Sequence, residues 1–270
     1  MCCALLWLAA CQQPTTHTPN ITPEEIEAER AMQEAAASKH QEQQTRERNE
    51  HFGAMQARLR KVALPIIRAG SDLCEQMTPP GSYCVYEVVL DQQTADERAD
   101  IGVNAYADGQ KIVVGSGMMH FAKTDEELAL VISHEYAHNI MGHVSSQQLN
   151  TMAGSILGLV VDVAIASQGY SSEGAFQNIG SSMGQLSYSA EFESEADYVG
   201  LYIMARAGFR IERAADFWRR MGGLNPESIT HGQTHPTTPE RFIGVQKTIE
   251  EIRYKRAHNM PLLPDFRPEN

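Results

Sequence analysis

The chain has 270 residues, 42% of them hydrophobic, and a formal net charge of -12. That length and apolar content suffice for one substantial domain with a buried core, and they exclude wholesale disorder. The acid excess excludes a nucleic-acid partner, which needs clustered Lys and Arg to displace phosphate counterions.

The first eleven residues, MCCALLWLAAC, are an apolar run shorter than the roughly 20 residues a membrane-spanning helix needs. They read as the apolar region of a secretory signal. Leu8-Ala9-Ala10-Cys11 resembles a bacterial lipoprotein cleavage box. The resemblance implies a signal peptide over residues 1–10 and a lipid on Cys11, and Gln12 in place of Asp implies an outer-membrane lipoprotein facing the periplasm. No basic residue precedes the run, a departure that points to a start further upstream. With Cys2 and Cys3 removed and Cys11 modified, Cys74 and Cys84 remain, and a pair in an oxidising compartment is most simply a disulfide.

Residues 11–22, rich in Thr, Pro and Gln, suit a lipidated tether. Pro23 then opens a run dominated by Ala, Glu, Gln and Arg, all strong helix formers. Residues 23–58 carry few large apolar side chains and predict a solvated helical segment. Towards its end Phe52, Met55, Leu59 and Val62 recur at helical spacing and can dock on a core, which places a second domain over 59–258. After Pro65 the pattern changes. Val85 to Leu90 is β-prone, and Ile101–Tyr106 and Lys111–Val114 flank a hairpin-type turn, Ala107-Asp108-Gly109. These predict a small, mainly antiparallel sheet.

Thr124 offers a helix N-cap, with Glu127 completing a capping box and Asp125 and Glu126 suited to the first turn. The helix that follows is largely buried by Leu128, Leu130, Val131 and Ile132. SILGLVVDVAIA, interrupted by Asp162, predicts a buried or interfacial helix rather than a membrane span. A further helix runs from Tyr188 to Ala207 and stops at Gly208. Others cover 212–221 and 239–256, the last with Pro239 at its first position. Residues 259–270 form a C-terminal tail.

Chemistry concentrates in SHEYAHNIMGH, Ser133 to His143. On a helix, His134 and His138 are about 40° apart, so both imidazoles reach one ion. Zn²⁺ takes such nitrogen ligands, and Glu135 beside them can accept a proton from an attacking water. This is the H-E-x-x-H pattern of zinc peptidases. His143, five residues past His138, turns about 140° away on a continuing helix and is set aside as a helix-end residue. A carboxylate from a second helix can complete the set. In YSAEFESEADYVGL, Glu193 and Asp197 share a face, the Asp being able to fix a ligand tautomer, while Glu191 and Glu195 compete on spacing alone. The bland alternative is a solvated acidic face.

HEYAH, then ESEAD, then Thr234-His235-Pro236 resemble the gluzincin metallopeptidases of the HtpX and CAAX-prenyl-endopeptidase family, in its periplasmic lipoprotein (LoiP-like) branch. The likeness extends over roughly 59–252. It implies an α+β, predominantly helical, zincin-like domain with the small sheet beside the H-E-x-x-H helix, and one Zn²⁺ per chain. It places Glu193 as third ligand and Asp197 behind the ligands. Asn104, Ala105 and Tyr106 would form an edge strand that binds extended peptides, and His235 would be a reversible fourth ligand or a carbonyl polariser. The family commonly carries Arg after Tyr-Ser; Ala190 stands there instead. The implied activity is zinc endopeptidase action on misfolded or misassembled envelope polypeptides, with a latched, chaperone-like binding module or a purely structural metal protein as alternatives. Oligomeric state is not legible.

Overall fold

The computed structural model describes residues 21–91, 103–166, 175, 178, 188–223, 235 and 238–266. The lipoprotein-like box, Cys11 and most of the tether lie outside the described residues, as do the first two positions of the predicted strand 101–106. The chain divides into two compact units, 1–52 and 53–270.

In the first unit, Thr22 and Glu25 cap the first helix reciprocally, Glu25 N–H donating to Thr22 Oγ1 (3.2 Å) and Thr22 N–H to Glu25 Oε2 (2.8 Å). Its residues are almost all exposed, as the composition predicts. Local pairs such as Arg46 with Glu50, 2.9 Å apart, contribute a few tenths of a kcal/mol each.

That helix, α1, is Pro23–Met77 and contains Pro65, so the change of pattern expected there is not a helix end. Proline removes a donor and costs about 3 kcal/mol inside a helix. Leu59, Val62 and Ala63 before it and Ile66, Ala69, Leu73 and Cys74 after it are nevertheless buried on one stripe. Apolar burial at roughly 25 cal/mol per Å² outweighs that cost. In the second unit a Cys74–Cys84 disulfide, Cα atoms 5.6 Å apart, ties the end of α1 to the segment entering the sheet.

The sheet holds β1 (Glu87–Asp91), β2 (Ala105–Ala107) and β3 (Lys111–Gly115) in the order β1-β3-β2. It is mixed rather than mainly antiparallel: β1 runs parallel to β3, Val89 opposite Val113, and β2 antiparallel to it, Tyr106 opposite Val113. The hairpin accounts for the second pairing. Its turn is held by Asp108, whose Oδ1 accepts from Gln110 and Lys111 N–H at 2.9 and 2.8 Å. The Gly109 N–H donates to Asn139 Oδ1 (2.9 Å), which fastens the turn to the central helix.

After α2 (Ser116–Phe121), that helix is α3 (Asp125–Ile140), buried from Leu128 onward. Thr124 caps it as predicted: Glu127 N–H donates to Thr124 Oγ1 (3.2 Å), and Glu127 Oε2 accepts from Lys123 N–H (2.6 Å). Gly142, at φ +69°, lies just beyond its end in the left-handed region that favours glycine. A new helix, α4 (His143–Ala166), starts at once. The apolar run on α4, expected to be buried or interfacial, presents Ile156, Leu157, Val160 and Val163 to solvent, each 59–68% exposed. Among the described residues no helix is long and apolar enough to cross a membrane.

Further helices are α5 (Ala190–Arg206), α6 (Ala214–Gly222) and α7 (Pro239–Ala257). α5 packs on both α3 and α7. Its approach to α3 is close: a Cβ on Gly200 would lie 3.1 Å from the backbone of His134. The fold is thus mainly helical, with a small sheet beside α3, as the resemblance implies.

Candidate metal centre

His134 and His138 project from the same face of α3, four residues apart as the helical period requires, and their Nε2 atoms are 3.0 Å apart. α5 brings in Glu193, whose Oε2 is 3.4 Å from His134 Nε2 and whose Oε1 is 3.3 Å from His138 Nε2. His235 joins from a separate segment, its Nδ1 2.9 Å from Glu193 Oε1 and 3.4 Å from His134 Nε2. One donor atom from each of these four residues lies within 4.8 Å of the other three. Such spacings suit donors surrounding one small cation, and the set offers three imidazoles and a carboxylate.

The surroundings carry excess negative charge. Asp197, one turn after Glu193, lies with Oδ1 3.0 Å from His134 Nδ1. Glu135 is 2% exposed, with His235 Nε2 3.5 Å from its Oε1. Arg241, in the first turn of α7, grips Asp197 through Nε–Oδ2 (2.7 Å) and Nη2–Oδ1 (2.8 Å) and pairs with Glu193 Oε2 through Nη1 (2.7 Å). The Trp218 ring lies 5.1 Å from its guanidinium carbon. Glu135, Glu193 and Asp197 face this single buried guanidinium, and a divalent cation would close the formal balance.

Titration follows from that imbalance. Burial opposes a charged His134, but Glu193 and Asp197 outweigh it and raise the group to about 9. For Glu193, burial alone would raise the carboxyl, yet His235, Arg241 and His134 hold it well below the usual range. Glu135 goes the other way: burial raises it, only partly offset by His235 and His134 and by a backbone hydrogen bond from Ala107. That bond also joins α3 to β2, the outer strand beside the site. In it Ala105 is buried and Tyr106 is 42% exposed; Asn104 precedes the strand, and its carbonyl accepts from Gly115 N–H (2.9 Å).

The structure therefore brings together His134, Glu135, His138, Glu193, Asp197 and His235. Of the other acids weighed on α5, Glu191 is exposed, and Glu195 pairs with His143 rather than joining the donor cluster. Ala190 is exposed at the start of α5, where Ser189 supplies the cap by accepting from Phe192 N–H (3.2 Å).

Three residues escaped sequence reasoning. Arg241 left no local signal, because its partners are 44 and 48 positions away. Tyr188 stacks on His138 with centroids 4.0 Å apart. His143 is a helix-end residue outside the donor cluster, as expected, but it is 1% exposed and its Nδ1 lies 3.0 Å from His138 Nδ1. Gly142 was the available signal, since a glycine there ends α3 and invalidates the rotation computed for a continuing helix.

A mainly helical domain whose central helix presents H-E-x-x-H to a carboxylate on a second helix defines the zincin-like class of metallopeptidases. The model of peptidase family M48 matches residues 66–249, and the chain belongs to that family. It is 28% identical to the mitochondrial metalloendopeptidase OMA1 of Schizosaccharomyces pombe over 169 residues, 59% of this chain and 49% of that protein. The Arabidopsis thaliana protein of the same name is 30% identical over 141 residues, 52% of this chain and 28% of the relative. The beta-barrel assembly-enhancing protease of Escherichia coli K12 is 24% identical over 166 residues, 56% and 33% of the two chains. The chain thus spans about half or less of the length of these relatives.

Proposed function

We propose that the protein is a zinc endopeptidase of the bacterial envelope, anchored by Cys11 to the periplasmic face of the outer membrane and acting on misfolded or misassembled envelope proteins. His134, His138 and Glu193 hold the ion, and Asp197 fixes the His134 tautomer through Nδ1. The observation that carries this reading is the convergence of those three donors beside Glu135. Zinc favours imidazole and carboxylate ligands, and once bound it supplies Lewis acidity to the scissile carbonyl and the attacking water.

The chain's own residues do the rest. Glu135 accepts the proton of the attacking water and delivers it to the leaving amine. β2, the outer strand, pairs with an extended peptide through backbone groups, which makes little demand on substrate sequence. Envelope substrates are supported by the name of the E. coli relative and by the lipoprotein-like N-terminus. The HtpX-like, periplasmic lipoprotein branch remains the subfamily reading that fits those two features together.

A second reading, a latched and slowly turning-over binding module, is favoured by His235, which stands among the donors instead of beside them. There it acts as a reversible fourth ligand.

The test is zinc content and degradation of an unfolded casein by wild type, Glu135→Gln and Glu193→Ala. The endopeptidase reading expects zinc without turnover in the first variant and loss of zinc in the second. Full activity in zinc-loaded Glu135→Gln would sink the mechanism. His235→Ala separates the readings: a latch gives a faster enzyme, a carbonyl polariser a slower one.

A further inference from the structure

The second histidine of the site has a support of its own, which neither its motif nor the family match assigns. His138 directs Nε2 at the donor cluster and Nδ1 at His143 Nδ1, 3.0 Å away. His143 in turn places Nε2 2.9 Å from Glu195 Oε2. His143 is buried, with its ring stacked on Phe192 at a centroid distance of 4.3 Å and 12° between planes, while the Glu195 side chain is 46% exposed.

With both rings neutral and Glu195 ionised, one arrangement of protons satisfies the row. A carboxylate accepts, so His143 carries its proton on Nε2 and donates to Glu195. His143 Nδ1 then holds a lone pair and accepts from His138 Nδ1–H. With that proton on Nδ1, His138 has its lone pair on Nε2, directed at the cation position. We propose that Glu195 and His143 are positioning residues that lock His138 in its metal-binding tautomer and orientation. Asp197 has the equivalent place behind His134, with one link fewer. Gly142 makes the geometry possible: its left-handed turn lets His143 fold back on the helix that carries its partner.

This inference rests on His138 being a metal ligand. The readout is zinc affinity by competition with a chromophoric chelator, together with the visible absorption of the cobalt-substituted protein. His143→Leu keeps bulk but removes the acceptor, and should weaken zinc 10- to 100-fold and alter the cobalt bands. His143→Asn, whose Oδ1 can take the place of Nδ1, should recover most of the affinity. A His143→Leu protein that binds zinc like wild type would overturn the proposal, as would equal losses in the Leu and Asn variants, which would reduce His143 to packing. Should His143→Leu fail to fold, Glu195→Ala at the exposed end decides: roughly 10-fold weaker zinc supports the row, unchanged affinity overturns it. His138→Ala is measured alongside. If that variant binds zinc as wild type does, the metal-site reading itself falls and takes this one with it.

Discussion

Arg241 and Asp197 meet in a two-point ion pair, Nε to Oδ2 at 2.7 Å and Nη2 to Oδ1 at 2.8 Å, with both residues buried. The same guanidinium reaches Glu193, so one cation on α7 steadies two acids on α5. Arg241→Met would leave both carboxylates without their fixed counter-charge. Breaking a buried pair by removing one partner costs about 3–5 kcal/mol. Urea unfolding in excess chelator should show a loss of that size, and added zinc should restore part of it by binding only the folded chain.

Gly200 marks where α5 lies closest to α3. A methyl group there meets the His134 backbone at 3.1 Å, and backbone cannot swing aside as a side-chain end can. Gly200→Ala is expected to cost about 1–3 kcal/mol. Zinc affinity should fall as well, because the two helices that carry the donors are pushed apart. A variant with wild-type stability and affinity would show that the helices separate freely.

The Cys74–Cys84 bridge spans 10 positions. A loop that short restricts the unfolded chain by roughly 2–3 kcal/mol. The Cys74→Ser, Cys84→Ser double variant should lose that much in urea. Its zinc content should stay unchanged, since neither sulfur takes part in the donor cluster.

Acid should loosen the start of α3. Asp125 is lowered by Lys61 and Arg58, Glu126 by Arg210, and Glu127 by Arg220. Folded carboxyls with depressed pKa values bind protons less readily than the unfolded ones. Their contribution is therefore complete above the unfolded values, about 4 to 4.5, and is lost as pH falls through the lower folded values. Urea midpoints measured from pH 6 to 3 should decline below about 4.5, and Asp125→Asn with Glu127→Gln should flatten the decline. The partial exposure of these groups keeps the effect modest.

How far the sequence foretold this molecule depended on distance along the chain. Thr124 with Glu127, His134 with His138, and Glu193 with Asp197 are separated by three or four residues, and helical geometry links each pair directly. The sheet was harder. Alternating apolar residues mark a strand but not its direction, and the parallel partnership of β1 with β3 depends on the long connection between them. α1 showed propensity being overruled, since apolar residues on both sides of Pro65 keep one buried stripe. His143 stays outside the donor cluster, but its contact with His138 was hidden by an assumed helical continuity that Gly142 ends. Arg241 offered no periodic or motif signal at all, because its meaning lies wholly in charges contributed by another helix.

The dependence of Glu193 and Asp197 on Arg241 also sets an order in time. A ribosome delivers α3 and α5 well before α7, so a growing chain holds the histidines and both acids while their neutralising cation is still unmade. The pocket therefore reaches its final charge balance only with α7, the last of the described helices. A truncated product ending before residue 241 would carry the motif and both acids without that fixed counter-charge.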